Sequence, residues 1–354
     1  MLLVLGGAAA LWGIGAVVGV QRRIRWGMIA VLYLAVLSVN LLLPPDHPMR
    51  AATGGGPEGW LILGGFVAIG FVYRAGLVWL RGKAPKEKAH MAEKTATFSE
   101  TELDRFARHI VLREIGGPGQ KRLKQARVLV IGAGGLGSPA LLYLAAAGVG
   151  TIGVVDDDVV ENSNLQRQVI HRDADIGLPK VQSAAQAMQA QNPFVTVRPY
   201  HRRLTAEEAE TLISDYDLVL DGTDNFATRY LANQASAAQD KPLISGALSQ
   251  WEGQLSIFDP ARGAPCYECI FPEEPAPGLA PTCAEAGVLG PLPGVIGAMM
   301  AVEAIKLITG AGEPLRGQML IYDALYGESR KITLKPRPDC PVCGGEKGQK
   351  ATSV

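Results

Sequence analysis

The sequence is poor in cysteine, in aromatic residues and in charge, and its charges balance. Of 354 residues, five are cysteine, 6% are aromatic and 19% are charged. Lys and Arg number 34, as do Asp and Glu, so the net charge is zero. A neutral chain argues against nucleic-acid binding through a broad basic surface. Five cysteines are too few for a disulfide scaffold. Disorder is disfavoured because 48% of the residues are hydrophobic.

Charge is almost missing from residues 1–82. They hold eight charged side chains, against 60 in the other 272 residues. Apolar runs cover about 2–20, 26–43 and 60–80, the last broken only by Arg74. Each run is long enough for a helix across a bilayer core of ~30 Å. We therefore predict a three-helix transmembrane anchor (1–82), a linker (83–97) and a soluble domain (98–354).

The basic residues predict how the anchor is oriented. None precedes the first apolar run, whereas Arg22, Arg23 and Arg25 follow it. A cleaved signal peptide has its positive charge before the run, so that alternative is disfavoured. The positive-inside rule puts this cluster and the basic residues from Arg81 onward in the cytoplasm. We expect a multi-pass protein of the inner membrane, with its N-terminus outside and the large domain in the cytoplasm.

Strand and helix patterns alternate through the soluble domain. Apolar strands are predicted at 127–131, 151–155, 195–200, 216–221 and 242–245. Helices are predicted at 98–120, 139–147, 180–191, 225–238 and 291–309, and further strands at 253–258, 318–322 and 331–334. This order predicts an α/β fold: a Rossmann-like, doubly wound, mostly parallel sheet with an antiparallel extension.

A glycine-rich turn joins the first of these strands to a helix. Gly132, Gly134 and Gly137 have the spacing GxGxxG, and Asp156 ends the next strand 24 residues after Gly132. Glycines let the backbone approach a phosphate, and the acid can accept hydrogen bonds from ribose hydroxyls. The turn alone does not separate NAD from ATP.

Two cations and an acidic motif follow. Arg167 and Lys180 suit a triphosphate, because they could screen a leaving pyrophosphate. Each taken alone is also compatible with a solvated surface cation. Asp224, in the run 221–225 (DGTDN), follows an apolar strand and could hold Mg²⁺ in the ligand crevice of the sheet. The alternative is a helix N-cap by Asp224 or Asn225.

The cysteines form two CxxC pairs and one single residue. Cys266 and Cys269 are separated by 70 residues from Cys340 and Cys343. Four thiolates in two such pairs predict a structural zinc site, with a redox pair as the alternative. Cys283 follows a proline-rich stretch and is a candidate nucleophile, or a structural thiol.

Together these motifs resemble one family. They are RFARHIVL (105–112), GAGGLGS (132–138), SNLQRQ (163–168), GLPK (177–180), DGTDN (221–225), TCAEAGVLGPLPGVIG (282–297) and the CxxC pairs. Residues ~98–345 resemble the ubiquitin-activating-like adenylyltransferases, most closely those that serve molybdopterin synthase, followed by those of the thiazole pathway.

The resemblance implies an activity and its partners. It implies ATP-dependent adenylation of the C-terminal Gly-Gly carboxylate of a small β-grasp sulfur carrier, with the molybdopterin synthase small subunit as the expected carrier. It implies ATP, Mg²⁺ and Zn²⁺ as cofactors and a homodimer as the assembly. Sulfur is expected from a separate donor, because no sulfurtransferase domain follows Cys343. Nucleic acid is not expected as a partner.

The resemblance also implies roles for particular residues. Those expected to act in catalysis are Arg108 (from a second subunit), Arg167, Lys180, Asp224 and Cys283, the last on a loop above the nucleotide. Those expected to contact the nucleotide are Gly132, Gly134, Gly135, Gly137, Asp156, Ser163, Asn164, Leu165, Gln166, Arg167, Lys180, Asp224 and Asn225. Cys266, Cys269, Cys340 and Cys343 are the expected zinc ligands and Asp224 the expected magnesium ligand.

Three alternatives remain open from the sequence. The same chemistry could serve the thiazole pathway or another sulfur carrier. The chain could be a non-catalytic membrane scaffold that keeps the fold. An NAD-dependent oxidoreductase would explain Asp156 but not Arg167, Lys180 or the four paired cysteines.

Overall fold

The computed structural model describes residues 2–83, 97–276 and 286–344. The chain divides into two compact units, Met1–Ala96 and Thr97–Val354. Most of the predicted linker and the whole segment around Cys283 lie outside the described residues.

The first unit is helical. Its helices are α1 (Leu2–Val17), α2 (Arg22–Leu42), α3 (Pro48–Thr53) and α4 (Glu58–Lys83). Gly19 has a φ of 77°, a left-handed conformation that permits the turn between α1 and α2. By length and composition, α2 and residues 58–77 of α4 could cross a membrane, whereas α1 has only 16 residues. Membrane spanning therefore stays a prediction. Of the three helices that correspond to the predicted spans, α1 is the shortest.

Polar contacts hold the ends of α2, α3 and α4 together. The side-chain amide of Asn40, which is buried, donates to Thr53 Oγ1 at 2.9 Å. Trp60 Nε1 donates to the Thr53 carbonyl at 3.0 Å, and the Tyr33 hydroxyl donates to the Trp60 carbonyl at 2.6 Å. Helix packing in a bilayer uses hydrogen bonds of this kind, because lipid supplies none.

The second unit contains one eight-stranded sheet. Its strands are β1 (Arg127–Ile131), β2 (Thr151–Asp156), β3 (Thr196–His201), β4 (Leu218–Asp221), β5 (Leu243–Leu248), β6 (Glu252–Phe258), β7 (Gln318–Asp323) and β8 (Glu328–Thr333). The order is β3-β2-β1-β4-β5-β6-β7-β8. The first five strands in this order are parallel and the last three antiparallel. This confirms the predicted α/β fold.

Helices cover both faces of the sheet. In chain order they are α5 (Glu100–Arg105), α6 (Ala107–Ile110), α7 (Gly116–Gln125), α8 (Gly137–Ala147), α9 (Lys180–Gln191), α10 (Ala206–Ser214), α11 (Phe226–Ala238), α12 (Tyr267–Ile270) and α13 (Pro291–Thr309). Although α13 is apolar enough to span a membrane, half of it is buried in this unit. Ile296 and Met300 are fully buried in the core that α13 shares with α8, so it is a core helix.

The single helix predicted over 98–120 is wrong. Ser99 and Glu102 do form a capping box, with Ser99 N–H donating to Glu102 Oε2 at 2.9 Å. The helix then breaks into α5, α6 and α7. Gly116, the first residue of α7, has a φ of 59°, and Pro118 follows in the same turn. A regular helix therefore cannot continue from α6 into α7. The strand predicted at 331–334 also begins earlier, at Glu328, on the exposed edge of the sheet.

The sheet reverses its winding direction between β1 and β4. From β1 the chain moves outward through β2 and β3, whereas β4 and β5 lie on the other side. β1 pairs with β4 from Val128↔Leu218 to Ile131↔Asp221, and all four residues of β4 are buried. Sheets of this kind bind ligands in the crevice at the carboxyl ends of the strands, at this reversal.

Candidate active site

A cleft of about 980 Å³ lies at the carboxyl ends of the parallel strands. It brings together nine of the residues predicted to contact a nucleotide: Gly132, Gly134, Gly135, Asp156, Asn164, Arg167, Lys180, Asp224 and Asn225. They come from the glycine turn, the 163–168, 177–180 and 221–225 motifs, and Asp156 at the end of β2, all at one edge of the sheet. The predicted nucleotide motifs therefore converge in space.

The other predicted residues lie beside the cleft or away from it. Gly137 is the first residue of α8, behind the glycine turn. Ser163, Leu165 and Gln166 flank cleft-lining residues but do not line the cleft themselves. Arg108 is exposed on α6, outside the cleft of its own chain. Cys283 lies outside the described residues.

The glycine turn depends on two glycines for its shape. Gly132 has a φ of 93°, which an L side chain rarely adopts. A Cβ on Gly137 would lie 2.0 Å from the Gly132 carbonyl oxygen, so only glycine lets the turn approach the start of α8 so closely. The turn thus brings its backbone N–H groups to the mouth of the cleft, where an anion could accept from them.

Asp156 is fixed by two backbone donors. Its Oδ2 accepts from Ala133 N–H in the glycine turn, and its Oδ1 accepts from Asp158 N–H, both at 2.8 Å. A carboxylate oxygen has a second lone pair for another donor. The acid therefore keeps capacity to accept from a ribose while the turn orients it.

The two predicted cations are held differently. Lys180 is only 5% exposed, and its Nζ pairs with Asp158 Oδ2 at 2.7 Å. Arg167 donates to the Ser163 carbonyl at 3.2 Å and to Asn164 Oδ1 at 3.1 Å. Their neighbours thus hold both side chains in place in the cleft. Asp158 was not predicted, although it lies only two residues after Asp156.

A buried ion pair supports the loop that carries Asp224: Arg229 Nη1 lies 3.9 Å from Asp221 Oδ2. Asp221 is fully buried and accepts from Thr223 N–H at 3.0 Å and from Ser245 Oγ at 3.1 Å. Arg229, 6% exposed, donates to the Thr223 carbonyl and, at 2.6 Å, to the Gly246 carbonyl. The guanidinium therefore ties the loop after β4 to β5. Sequence analysis missed Arg229, because its partners are distant along the chain.

Asp224 and Asn225 differ in what their side chains do. Asn225 caps α11, with its Oδ1 accepting from Thr228 N–H at 3.0 Å. Asp224 is exposed to the cleft, and among the described residues no hydrogen bond or ion pair engages its carboxylate. The N-cap alternative therefore holds for Asn225, and Asp224 is the acid free for a cation.

The far end of the cleft is aromatic. Tyr267 packs edge-on against Phe258, with ring centroids 5.5 Å apart, and tilted against Phe271, at 4.8 Å. All three side chains line the cleft. The cleft therefore has aromatic as well as charged lining residues, which the sequence did not reveal.

The four paired cysteines meet beside this aromatic end. Their sulfurs all lie within 4.8 Å of one another, with Cys266 Sγ 3.5 Å from Cys340 Sγ and Cys269 Sγ 3.3 Å from Cys343 Sγ. Four thiolates around zinc at ~2.3 Å lie ~3.8 Å apart, so this cluster fits the ion. All four are free thiols, and the cluster could hold zinc.

Burial opposes the ionisation of two of the four thiols. Burial raises the pKa of the Cys266 thiol, and it raises that of Cys343 to about 12. A bound divalent cation stabilises the thiolates, because they are its ligands. The segment between Cys266 and Cys269, the first zinc knuckle, also contacts α11, because Glu268 accepts a hydrogen bond from Gln234 Nε2 at 3.0 Å.

The family can now be assigned by comparison. The sequence model of the ThiF family matches residues 106–342. The chain belongs to the ThiF family. The match spans the glycine turn, both cations, the Asp221–Asn225 run and three of the four paired cysteines. It leaves the helices of the first unit outside.

Curated relatives of this ThiF-family chain are similar over the same region. The sulfur carrier protein adenylyltransferase of Thermus thermophilus is 50% identical over 257 residues, covering 72% of this chain and 95% of that protein. The SAMP-activating enzyme E1 of Haloferax volcanii is 49% identical over 250 residues, covering 71% and 92%. The probable adenylyltransferase/sulfurtransferase MoeZ of Mycobacterium tuberculosis is 52% identical over 254 residues; the match covers 71% of this chain but 65% of MoeZ.

Solved structures agree in fold. The structure of Escherichia coli MccB with ATP matches 72% of this chain and 84% of that one, with a TM-score of 0.58 and 21% identity. The PaaA structure matches with a TM-score of 0.59 and 24% identity. At these identities the likeness shows the fold alone. The expected superfamily, the MoeB/ThiF-type adenylyltransferases, is confirmed by the family match and the curated relatives.

Proposed function

We propose that the chain adenylates the C-terminal carboxylate of a small sulfur-carrier protein with ATP and releases pyrophosphate. The observation that carries this proposal is the charge arrangement of the cleft. Arg167, Lys180 and the expected ribose acid Asp156 line the cleft together with Asp224, which follows β4 on the other side of the strand reversal. The names of the curated relatives support the same reaction.

The residues suit this chemistry without a general base. A C-terminal carboxylate is already ionised at pH 7. It attacks the α-phosphorus, an acyl-adenylate forms, and pyrophosphate leaves. The side chains' task is to position the two anions and to neutralise charge as it builds on the leaving group. Arg167 and Lys180 do this from fixed positions, and Asp158 keeps Lys180 in place before ATP binds.

Asp224 would hold the magnesium ion that accompanies ATP. A carboxylate is a preferred Mg²⁺ ligand, and substrate phosphates and water complete the shell. The Asp221–Arg229 pair keeps the supporting loop rigid. Bound there, Mg²⁺ would neutralise phosphate charge, and Asp224 would orient it.

Zinc would play a structural part. Cys266, Cys269, Cys340 and Cys343 would hold it in a closed four-thiolate site, which leaves no position for a substrate. The ion would join α12 to the segment after β8. Since Tyr267 lies between two of the ligands and also lines the cleft, zinc would fix the aromatic end of the cleft.

We propose the molybdopterin synthase small subunit, with its Gly-Gly end, as the carrier. The thiazole-pathway carrier and other sulfur carriers remain the alternatives, and a separate protein would donate sulfur to the adenylate. A non-catalytic scaffold is the weaker candidate, because it would not need Arg167, Lys180 and Asp224 to meet in one cleft. Cys283 lies outside the described residues, and its role as a nucleophile stays a prediction.

The active enzyme would be a homodimer in which Arg108 enters the neighbouring subunit's site. Its exposure on α6, outside its own cleft, supports this arrangement. The first unit would anchor the dimer in the inner membrane, with the N-terminus outside and the catalytic domain in the cytoplasm. Leu42, Phe66 and Phe71 are 71–81% exposed on α2 and α4, as lipid-facing side chains would be.

The test is carrier-dependent ATP–pyrophosphate exchange. The full-length protein in detergent is mixed with ATP, Mg²⁺ and, in turn, each Gly-Gly-ending carrier of the same organism. Exchange with one carrier, lost in Asp224→Ala, would support adenylation and name the pathway. ATP binding with no exchange for any carrier would favour the scaffold.

A further inference from the structure

One buried histidine, His171, hydrogen-bonds the backbone of the glycine turn. His171 is 6% exposed and lies on the segment that also carries Arg167 and Gln168. Its Nε2 lies 2.9 Å from the Ala133 carbonyl oxygen, and its Nδ1 lies 2.8 Å from Ser183 Oγ on α9. Nothing in the proposed chemistry uses this ring.

The partners of His171 determine where its protons lie. A carbonyl oxygen only accepts, so Nε2 must carry a proton. The Ser183 hydroxyl has one proton and two neighbours, His171 Nδ1 and Asp175 Oδ2, the latter at 2.7 Å. When the ring is neutral, the Ser183 hydroxyl can donate to only one of these two acceptors at a time. When the ring is charged, Nδ1–H donates to Ser183 Oγ and the Ser183 hydroxyl donates to Asp175, so both hydrogen bonds form. In both states the Nε2–H···O=C bond to Ala133 persists.

Burial keeps the His171 ring neutral at pH 7. Burial lowers the pKa of His171 below its ordinary value. Lys180 lowers it further, whereas the carboxylates of Asp156 and Asp175 raise it. The ring therefore donates to Ala133 as a neutral imidazole protonated at Nε2.

Two side chains hold the two peptide groups on either side of the Ala133 Cα. His171 engages the Ala133 carbonyl, and Asp156 Oδ2 accepts from the Ala133 N–H. The next two residues, Gly134 and Gly135, line the cleft. The His171 bond thus fixes the Ala133–Gly134 peptide, and the Asp156 bond fixes the Gly132–Ala133 peptide directly before it.

The neighbours of His171 on its own segment reinforce this contact. A Cβ on Gly134 would lie 3.6 Å from Gln168 Nε2, and one on Gly135 would lie 3.8 Å from Arg167 Cγ. Arg167, Gln168 and His171 thus lie against three successive residues of the turn. His171 makes the one hydrogen bond among these three contacts.

We propose that His171 is a positioning residue for nucleotide binding. It fixes the Ala133 carbonyl, and with it the Ala133–Gly134 peptide, so that the glycine turn and the adjoining N–H that orients Asp156 are set before ATP arrives. The proposal rests on the proposed function for the identity of the ligand. It assigns a role in the affinity for ATP, with no part in binding the carrier.

The experiment measures ATP binding and carrier kinetics separately on the full-length protein in detergent. His171→Leu removes the donor, and His171→Gln keeps a side-chain N–H that can reach a carbonyl. We expect Leu to raise the dissociation constant for ATP–Mg²⁺ about tenfold and Gln less than about threefold. The KM for the carrier, at saturating ATP, should stay within about twofold in both. His47→Leu, which changes a histidine of the first unit that does not line the cleft, should match the wild type in both constants.

Each other result contradicts the proposal. A merely structural histidine would lower the melting temperature and the folded yield while the folded fraction bound ATP normally. Equal effects of Leu and Gln, or an equal rise in the carrier KM, would also overturn it. Should His171→Leu fail to fold, Ser183→Ala decides: the ring stays but loses its Nδ1 anchor, and ATP binding should weaken about threefold. Unchanged binding in Ser183→Ala would then overturn the proposal.

The binding assay needs no carrier. If the wild type binds ATP but exchanges with no carrier, the proposed function fails while the positioning role can still be measured.

Discussion

Lys180 is the residue whose loss should separate catalysis from folding. Its ammonium group is buried at the cleft, but its partner Asp158 is 65% exposed and can be rehydrated when unpaired. We expect Lys180→Met to slow ATP–pyrophosphate exchange about 10²-fold, the usual effect of removing a charge that stabilises the transition state. The melting temperature should fall by no more than a few degrees, because a pair with an exposed partner contributes about 1 kcal/mol or less.

The matched control for Lys180 is Lys331→Met, on the exposed edge strand β8. It removes the same charge from an exposed side chain that does not line the cleft, and it should leave exchange unchanged. An exchange rate for Lys180→Met within twofold of the wild type would contradict the role given to this side chain.

Arg229 should behave in the opposite way, with stability and activity falling together. Its guanidinium serves the Thr223 and Gly246 carbonyls and Ser245 Oγ at once. A lysine keeps the charge but cannot reach all three groups. Each buried carbonyl left unpaired costs about 1–3 kcal/mol, so Arg229→Lys should lower both the unfolding free energy and the exchange rate. Denaturant unfolding and exchange measure the two effects.

Arg262→Lys, an exposed arginine, is the control for this change and should be neutral. Normal stability in Arg229→Lys would show that the loop carrying Asp224 does not depend on the guanidinium.

For single residues, sequence patterns predict site residues that lie near the ends of parallel strands. They do not predict residues whose contacts depend on how helices and loops pack. Asp156, Arg167 and Asp224 belong to motifs at the edge of the sheet, where parallel strands end together. His171 and Arg229 reach their partners Ala133 and Gly246 across 38 and 17 residues. No local spacing encodes such contacts, since they depend on how helices and loops pack on the sheet.

At the scale of structural elements, the cluster of four paired cysteines gives a separate prediction. Cys340→Ser removes one of four thiolates, and we expect the metal content of the purified protein to fall from one zinc per chain to well below one. The melting temperature of the second unit should drop, because metal binding contributes folding free energy. Elemental analysis and calorimetry measure both effects.

Chelation of the wild type provides the second arm. It should lower the melting temperature as the substitution does, and zinc should be lost more easily at lower pH, because protons compete for the thiolates. A metal-free wild type whose paired cysteines form disulfides would instead support the redox alternative.

The elements themselves were predicted with uneven success, for physical reasons. Buried parallel strands such as β1 and β4 read as short apolar runs, so their positions were correct. β8 is exposed along its whole length and has no such signal, which is why its start was missed. The break after α6 depends on Gly116 adopting a positive φ, which periodicity over 98–120 does not reveal.

For the whole molecule, the proposed homodimer can be tested by mixing two inactive variants. Arg108→Ala and Asp224→Ala should each lose exchange. If Arg108 serves the partner's site, a mixed dimer has one doubly damaged site and one intact site. Co-expressed variants should then recover roughly one quarter of wild-type exchange, because half of the dimers are mixed. No recovery would place Arg108 in the site of its own chain.

The sequence could predict the family of the second unit, because its motifs lie in one continuous region. The homodimer is expected only from the resemblance and stays a prediction, since contacts between copies depend on surfaces that these motifs do not describe. The helices of the first unit are similarly clear as apolar runs, and their place in a membrane remains a prediction.

The most direct test of the central claim is the intact mass of the carrier protein after incubation with full-length enzyme, ATP and Mg²⁺, without a sulfur donor. We predict a carrier whose mass has grown by one AMP group at its C-terminal carboxylate, with one pyrophosphate released for each carrier modified. Asp224→Ala should leave the carrier mass unchanged. An unmodified carrier with the wild-type enzyme, or release of ADP and phosphate in place of pyrophosphate, would contradict the account.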